Sequence, residues 1–304
     1  MGGDGAADDL RIPAEGLFGP DSVSWRVHAD PSMLLGGLRA LMLQALHPLA
    51  MAGVARHSAF REDPWGRLYR TAFFIGAVTY GDGAEVREAV ERVRRVHEHV
   101  RGTDPVTGRS YRADDPELLL WVHCSEVGSF LDVARRAGLG IDEAAADAYL
   151  REQVAVARLV GVPDDVPVPA SVRELDAYNA RVRPDLLVTP AAREAVRFAF
   201  LPPLRGRALL AAPAMPAWGG LVGLAVAMLP AWARRMYGLP GWRLTDHVAT
   251  LEARAVRAAL IRVPSAWREG PHLVAARGRW ATLDPDSRRG EPLPVVNDAA
   301  VKPT

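Results

Sequence analysis

Apolar positions recur at helical spacing along almost the whole chain, and the long alternating Val/Ile/Thr-rich runs of half-buried strands are missing. Asp30-Pro31-Ser32 opens a first long helix over residues 33–54. Its Met33, Leu34, Leu35, Leu38, Leu41, Met42, Leu43 and Leu46 are apolar on nearly every side, so it belongs at the centre of a bundle. Pro48 disturbs that helix and frees a carbonyl. Asp63-Pro64 starts a second helix, which stops at Gly81-Asp82-Gly83. A third spans 84–101 and closes at Gly102, after which 103–111 is a polar loop. Asp114-Asp115-Pro116 precedes a helix over 117–137, and another covers 142–160. Beyond a proline-rich linker come short helices near 171–183 and 190–200, and a last clear one over 245–263. The expected fold is all-α: one domain over 21–265, a flexible segment at 1–20 and a poorly structured tail at 266–304.

At 304 residues, 49% hydrophobic and 24% charged, the chain can bury a substantial core. A net charge of +1 removes the basic surplus expected of a nucleic-acid partner. Every basic residue except Lys302 is arginine, so a single arginine carries little information. One cysteine, Cys124, excludes an internal disulfide framework and thiolate-rich metal sites. Residues 1–13 are acidic and Gly-rich without an apolar run, unlike a secretory signal, and point to a cytoplasmic protein. Residues 208–232 carry no charge over about a membrane-spanning length. Pro213, Pro216 and Gly219-Gly220 interrupt them, which favours a buried or surface-docked helix, with a membrane span and interfacial, peripheral attachment as the alternatives.

Helical position sorts the histidines. In the third helix Val86, Val90, Val93, Val96 and Val100 form an apolar stripe that includes His97, whereas His99 lies roughly 200° away beside Arg92 and Arg95. His97 therefore points inward, as a core histidine or as a ligand. His123 and Glu126, one turn apart on the apolar face of the 117–137 helix, are spaced to hydrogen-bond each other, either to satisfy a buried imidazole or to orient a ligand. His47 either fills the gap beside Pro48 or faces a pocket. His57 is ambiguous, and His28, His247 and His272 have no informative surroundings. Arg67, Arg70 and Thr71 share one helix face next to Tyr69, Phe73 and Phe74. They suit a carboxylate or a polarised oxygen, or else form a solvated basic face with Thr71 bonded back to its own helix. Dinucleotide and phosphate-loop glycine motifs, a nucleophile elbow, H-E-x-x-H and paired Glu-x-x-His motifs are all missing.

Several segments, in order, carry a resemblance: Leu43 to Pro48 (LQALHP), His57-Ser58, Gly66 to Thr71 (GRLYRT), Val93 to Gly102 (VRRVHEHVRG), Tyr111 to Pro116 (YRADDP), Leu120 to His123 (LWVH) and a late stretch from Leu229-Pro230 to Gly238-Leu239. Over roughly residues 20–265 the chain resembles the MpaB-type oxygenase family, which includes the catalytic domain of latex-clearing rubber oxygenase. The resemblance implies a single globin-like helical bundle enclosing haem b. It implies His97 as axial iron ligand, Arg67, Arg70 and Thr71 as catalytic residues on the opposite side, and His123 and His47 beside Arg67 and Thr71 around the cofactor. Arg70 stands where rubber oxygenase has lysine. A guanidinium does not normally ligate iron, which implies an open or water-bound iron. The implied reactants are O2 and an apolar small molecule or lipid-like substrate, admitted by a channel along Phe73, Phe74 and part of 208–232. Two alternatives stand beside this: a non-catalytic ligand- or haem-binding protein of the same fold, and a haem-free enzyme with a metal held by His47, His57, His97 and His123.

Overall fold

A helix that is apolar all round must be enclosed on all sides, and the residues after position 32 achieve this by breaking. The computed structural model describes residues 12–58, 61–202, 204 and 206–282. In place of one helix over 33–54 it has α2, Met33–Gln44, and α3, Pro48–His57, bent by 105°. Pro48 occupies the first turn of α3, where a missing N–H costs nothing. The carbonyls freed at the break find distant donors. Trp121 Nε1 donates to Gln44 O (3.1 Å), the Tyr237 hydroxyl to Met42 O (2.7 Å) and Leu187 N to Leu46 O (2.7 Å).

The other helices follow in sequence: α1 Val23–His28, α4 Pro64–Tyr80, α5 Gly83–His99, α6 Pro116–Arg136, α7 Glu143–Val160, α8 Val172–Val182, α9 Pro190–Phe200, α10 Met215–Ala227, α11 Ala231–Met236, α12 Arg243–Leu260, α13 Ser265–Arg268 and α14 Pro271–Thr282. Asp and Ser side chains cap most of the long ones. Asp82 and Glu85 form a reciprocal capping box on α5, Asp115 caps α6 and Asp142 caps α7. The all-α fold is thus present. Among the described residues its one β element is a hairpin, β1 Arg101–Thr103 with β2 Ser110–Arg112, where a polar loop was expected. The Asp104 carboxylate accepts from the Val106 and Thr107 amides and closes that turn.

Helix α6 is the axis of the bundle and packs along α2 through Phe130 and Gly36. A Cβ on Gly36 would come within 2.9 Å of the Phe130 ring, so only glycine permits this approach. Buried Arg39 donates to Ser129 Oγ (2.7 Å) and Met228 O (2.9 Å), and Arg234, 1% exposed, donates to Ala227 O, Leu229 O and Asp246. These buried guanidiniums tie α10 and α11 to the central pair.

Both expected flexible ends need correcting where they are described. Phe18 is buried against Val78, Val86 and Val90, which pins the chain just before α1. Helix α14 buries Leu273 and Ala276 against Trp25 and Tyr80, an apolar face too short to stand out in a polar tail. Residues 1–11 and 283–304 of those two expectations lie outside the described residues. Among the described residues no single helix is long and apolar enough to cross a membrane. The bent pair α2–α3 passes by length and composition only.

Candidate active site

Helices α2 to α7, α9 and α10 enclose a cavity of about 710 Å³, within the usual range for small-molecule sites. Its wall is mostly apolar, with Leu41, Met51, Phe74, Val93, Leu119 and Trp218 among the contributors. Trp218 is held by its Nε1 bond to Ala199 O (2.8 Å) and packs on Trp65 with ring centroids 4.8 Å apart.

Helix α5 buries Val86 and Val90 in the core, and the same stripe carries Val93, His97 and Val100 onto the cavity wall. Nδ1 of His97 is buried and has no hydrogen-bond partner among the described residues. Burial lowers its pKa, with Asp114 opposing weakly, so the ring is neutral at neutral pH. His99, two residues on, is exposed and bonds Arg95 O (2.6 Å). The spacing that separated the two histidines is what the structure shows.

Helix α4 begins at Asp63, whose carboxylate accepts from Gly66 N (2.9 Å). Its first turns bring Arg67, Arg70 and Thr71 to the cavity. Arg67 donates to Ser58 Oγ (2.5 Å), and burial followed by the charge of Arg70 lowers its proton affinity. The Thr71 hydroxyl donates back to Arg67 O (3.1 Å), which leaves its lone pairs to the cavity. Arg70 pairs with Asp63 (3.2 Å) and is largely exposed, placing its charge at the rim.

Helix α6 contributes His123 and Glu126 to the wall. The hydrogen bond expected between them is not made. Burial holds His123 down to about 4, with Arg158 adding to the effect, and pushes Glu126 up to about 7. His57 also lines the cavity and contacts Arg101 O (3.2 Å).

Two expectations fail. His47 is not on the cavity wall: it is the N-cap of α3, with its ring 6.1 Å from that of Trp121, because the bend at Pro48 turns it away. At the break its backbone N–H donates to Gln44 O (3.2 Å), and the side chain that meets the same carbonyl is that of Trp121. Phe73 faces His272 (4.4 Å) and not the cavity, so only Phe74 of that pair lines it. Among the described residues no three His, Cys, Asp or Glu side chains come together to hold a metal ion, which removes support for a site built from His47, His57, His97 and His123. The reading of the sequence also missed His28. Its Nδ1 lies 2.7 Å from Thr79 Oγ1 and its Nε2 3.0 Å from the Tyr149 hydroxyl, and burial holds it down to about 3. No local pattern marked it, since its partners are 51 and 121 residues away.

A helical bundle around a largely apolar cavity, with an imidazole on one wall and an arginine on another, has the form of a small-molecule site. Over residues 25–262 the chain matches the family described as ER-bound oxygenase mpaB/B'/rubber oxygenase, catalytic domain. It belongs to that family and is an oxidoreductase of the oxygenase type. No curated protein and no solved structure matches it.

Proposed function

We propose that the chain is a haem b-dependent oxygenase acting on an apolar small molecule or lipid-like substrate inside the cavity. The observation that carries this reading is the neutral His97 ring on the cavity wall, its Nδ1 left without a partner among the described residues. A neutral imidazole on the wall of a largely apolar cavity is the kind of single protein ligand that haem iron takes. The donor set suits haem better than a bare metal ion, since one imidazole suffices as the protein's axial ligand.

Haem would supply the iron chemistry with O2, and the other roles fall to the chain. His97 would hold the iron. Arg67 and, at the rim, Arg70 would balance the propionate carboxylates. Thr71, with its hydroxyl proton committed to Arg67 O, offers an acceptor to a bound polar group. Leu41, Met51, Phe74, Val93 and Trp218 exclude water and surround the hydrocarbon.

The test is the visible spectrum of the purified protein before and after adding haemin. A Soret band that His97→Ala abolishes and His99→Ala retains is the expected result. An equal band in both variants, or none in the wild type, refutes the assignment.

A further inference from the structure

We propose that His123 and Glu126 form a subsite that binds a carbonyl oxygen, so the cavity selects an apolar molecule bearing a ketone, aldehyde or ester group. This rests on the cavity being the substrate site. The two side chains sit one turn apart on α6 and open onto the cavity beside Leu119 and Val122. Among the described residues neither has a hydrogen-bond partner for its side chain, yet neither is sealed away: both line open space.

Their surroundings leave them uncharged. The charged and titratable groups that α7 brings to this pair are Tyr149, which interacts with Glu126 and whose hydroxyl already bonds His28 of α1, and Arg158, whose charge acts on His123. Across the cavity are His97 of α5 and Arg67 of α4. None forms an ion pair with Glu126. Below about pH 7 Glu126 is a carboxylic acid with one O–H to donate, and His123 is a neutral imidazole with one N–H. Two donors on one apolar wall suit a single acceptor oxygen. A carboxylate ligand belongs instead at Arg67 and Arg70. An amine would need Glu126 ionised in an apolar wall.

The experiment is calorimetric titration with octane, 2-octanone and octylamine, on protein as purified and after haemin loading. Near pH 6 the ketone should bind about tenfold tighter than octane, the ~1.4 kcal/mol of a buried hydrogen bond. That advantage should vanish as the pH rises through about 7. In Glu126→Gln, whose amide still donates, the advantage should persist at both ends of the range. In Glu126→Leu, where only the His123 N–H remains, it should be smaller than in the wild type near pH 6 and no longer change as the pH rises through about 7, with circular dichroism checking that the fold is intact. Equal affinity for ketone and octane in the wild type, an advantage that does not change with pH, or tighter binding of octylamine would each overturn the subsite. Loss of the Soret band with the ketone preference intact would overturn the haem reading alone.

Discussion

Replacing Glu126 by glutamine should stabilise the protein at alkaline pH and leave it nearly unchanged in acid. Glu126 shares its wall with apolar side chains, has no ion pair, and burial moves its carboxyl from 4.5 to about 7. At 1.36 kcal/mol per pH unit the ionised form costs about 3 kcal/mol in the folded state, and water entering the cavity reduces this to about 2 kcal/mol. The sign follows from proton binding. Between 4.5 and about 7 the folded state holds the proton more tightly than the unfolded chain, so stability is full below 4.5 and declines as pH rises through 7. Glutamine keeps the shape and cannot ionise. Urea unfolding of both proteins, near pH 4.5 and near pH 8.5, should show equal stability at the lower value and a gain of about 2 kcal/mol for the variant at the higher. Equal stability at the alkaline end would mean that Glu126 reaches water or an unrecognised cation, and both the burial argument and the subsite built on it would fail.

Two further outcomes test the packing around this site. Gly36→Ala should destabilise by about 1–3 kcal/mol, despite alanine's better helix propensity, because its methyl meets the Phe130 ring at 2.9 Å; thermal melting checks it, and a raised Tm would show that α2 and α6 can separate without cost. His28, held down to about 3 by burial, makes the folded state bind fewer protons than the unfolded chain below 6.5. Stability should therefore fall by up to ~1.4 kcal/mol per pH unit as the solution is acidified from about 6.5 towards 3. His28→Leu should flatten that slope in an acid unfolding series, and an unchanged slope would place the acid-sensitive group elsewhere.

Much of the site was legible because helical periodicity is a local property. The valine stripe of α5 assigns His97 to the inside and His99 to the outside without knowledge of any other helix. The three- and four-residue spacings of Arg67, Arg70 and Thr71 likewise put them on one face of α4. What failed were expectations about what each side chain meets. A hydrogen bond between His123 and Glu126 was compatible with their spacing, yet both turn to the cavity. Arg39 and Arg234 are deeply buried, but in a chain whose basic residues are nearly all arginine nothing marked them among the solvated ones. The hairpin was overlooked because its strands are three residues each, too short for alternation to register.

By itself the order of side chains determined which segments are helical, where most of them begin and end, and which face of each is apolar, since these depend on neighbours within one or two turns. It also marked a disturbance at Pro48, because a proline removes its own amide proton wherever the chain is folded, but not that the helix ends there. Only the tertiary structure decided what the break points at. The Gln44 carbonyl is met by Trp121, 77 residues away, and His47 is turned out of the cavity that His97 enters. Contacts of that kind depend on how helices distant in sequence are oriented against one another, and that orientation follows from the packing of the whole core, with no local pattern to record it.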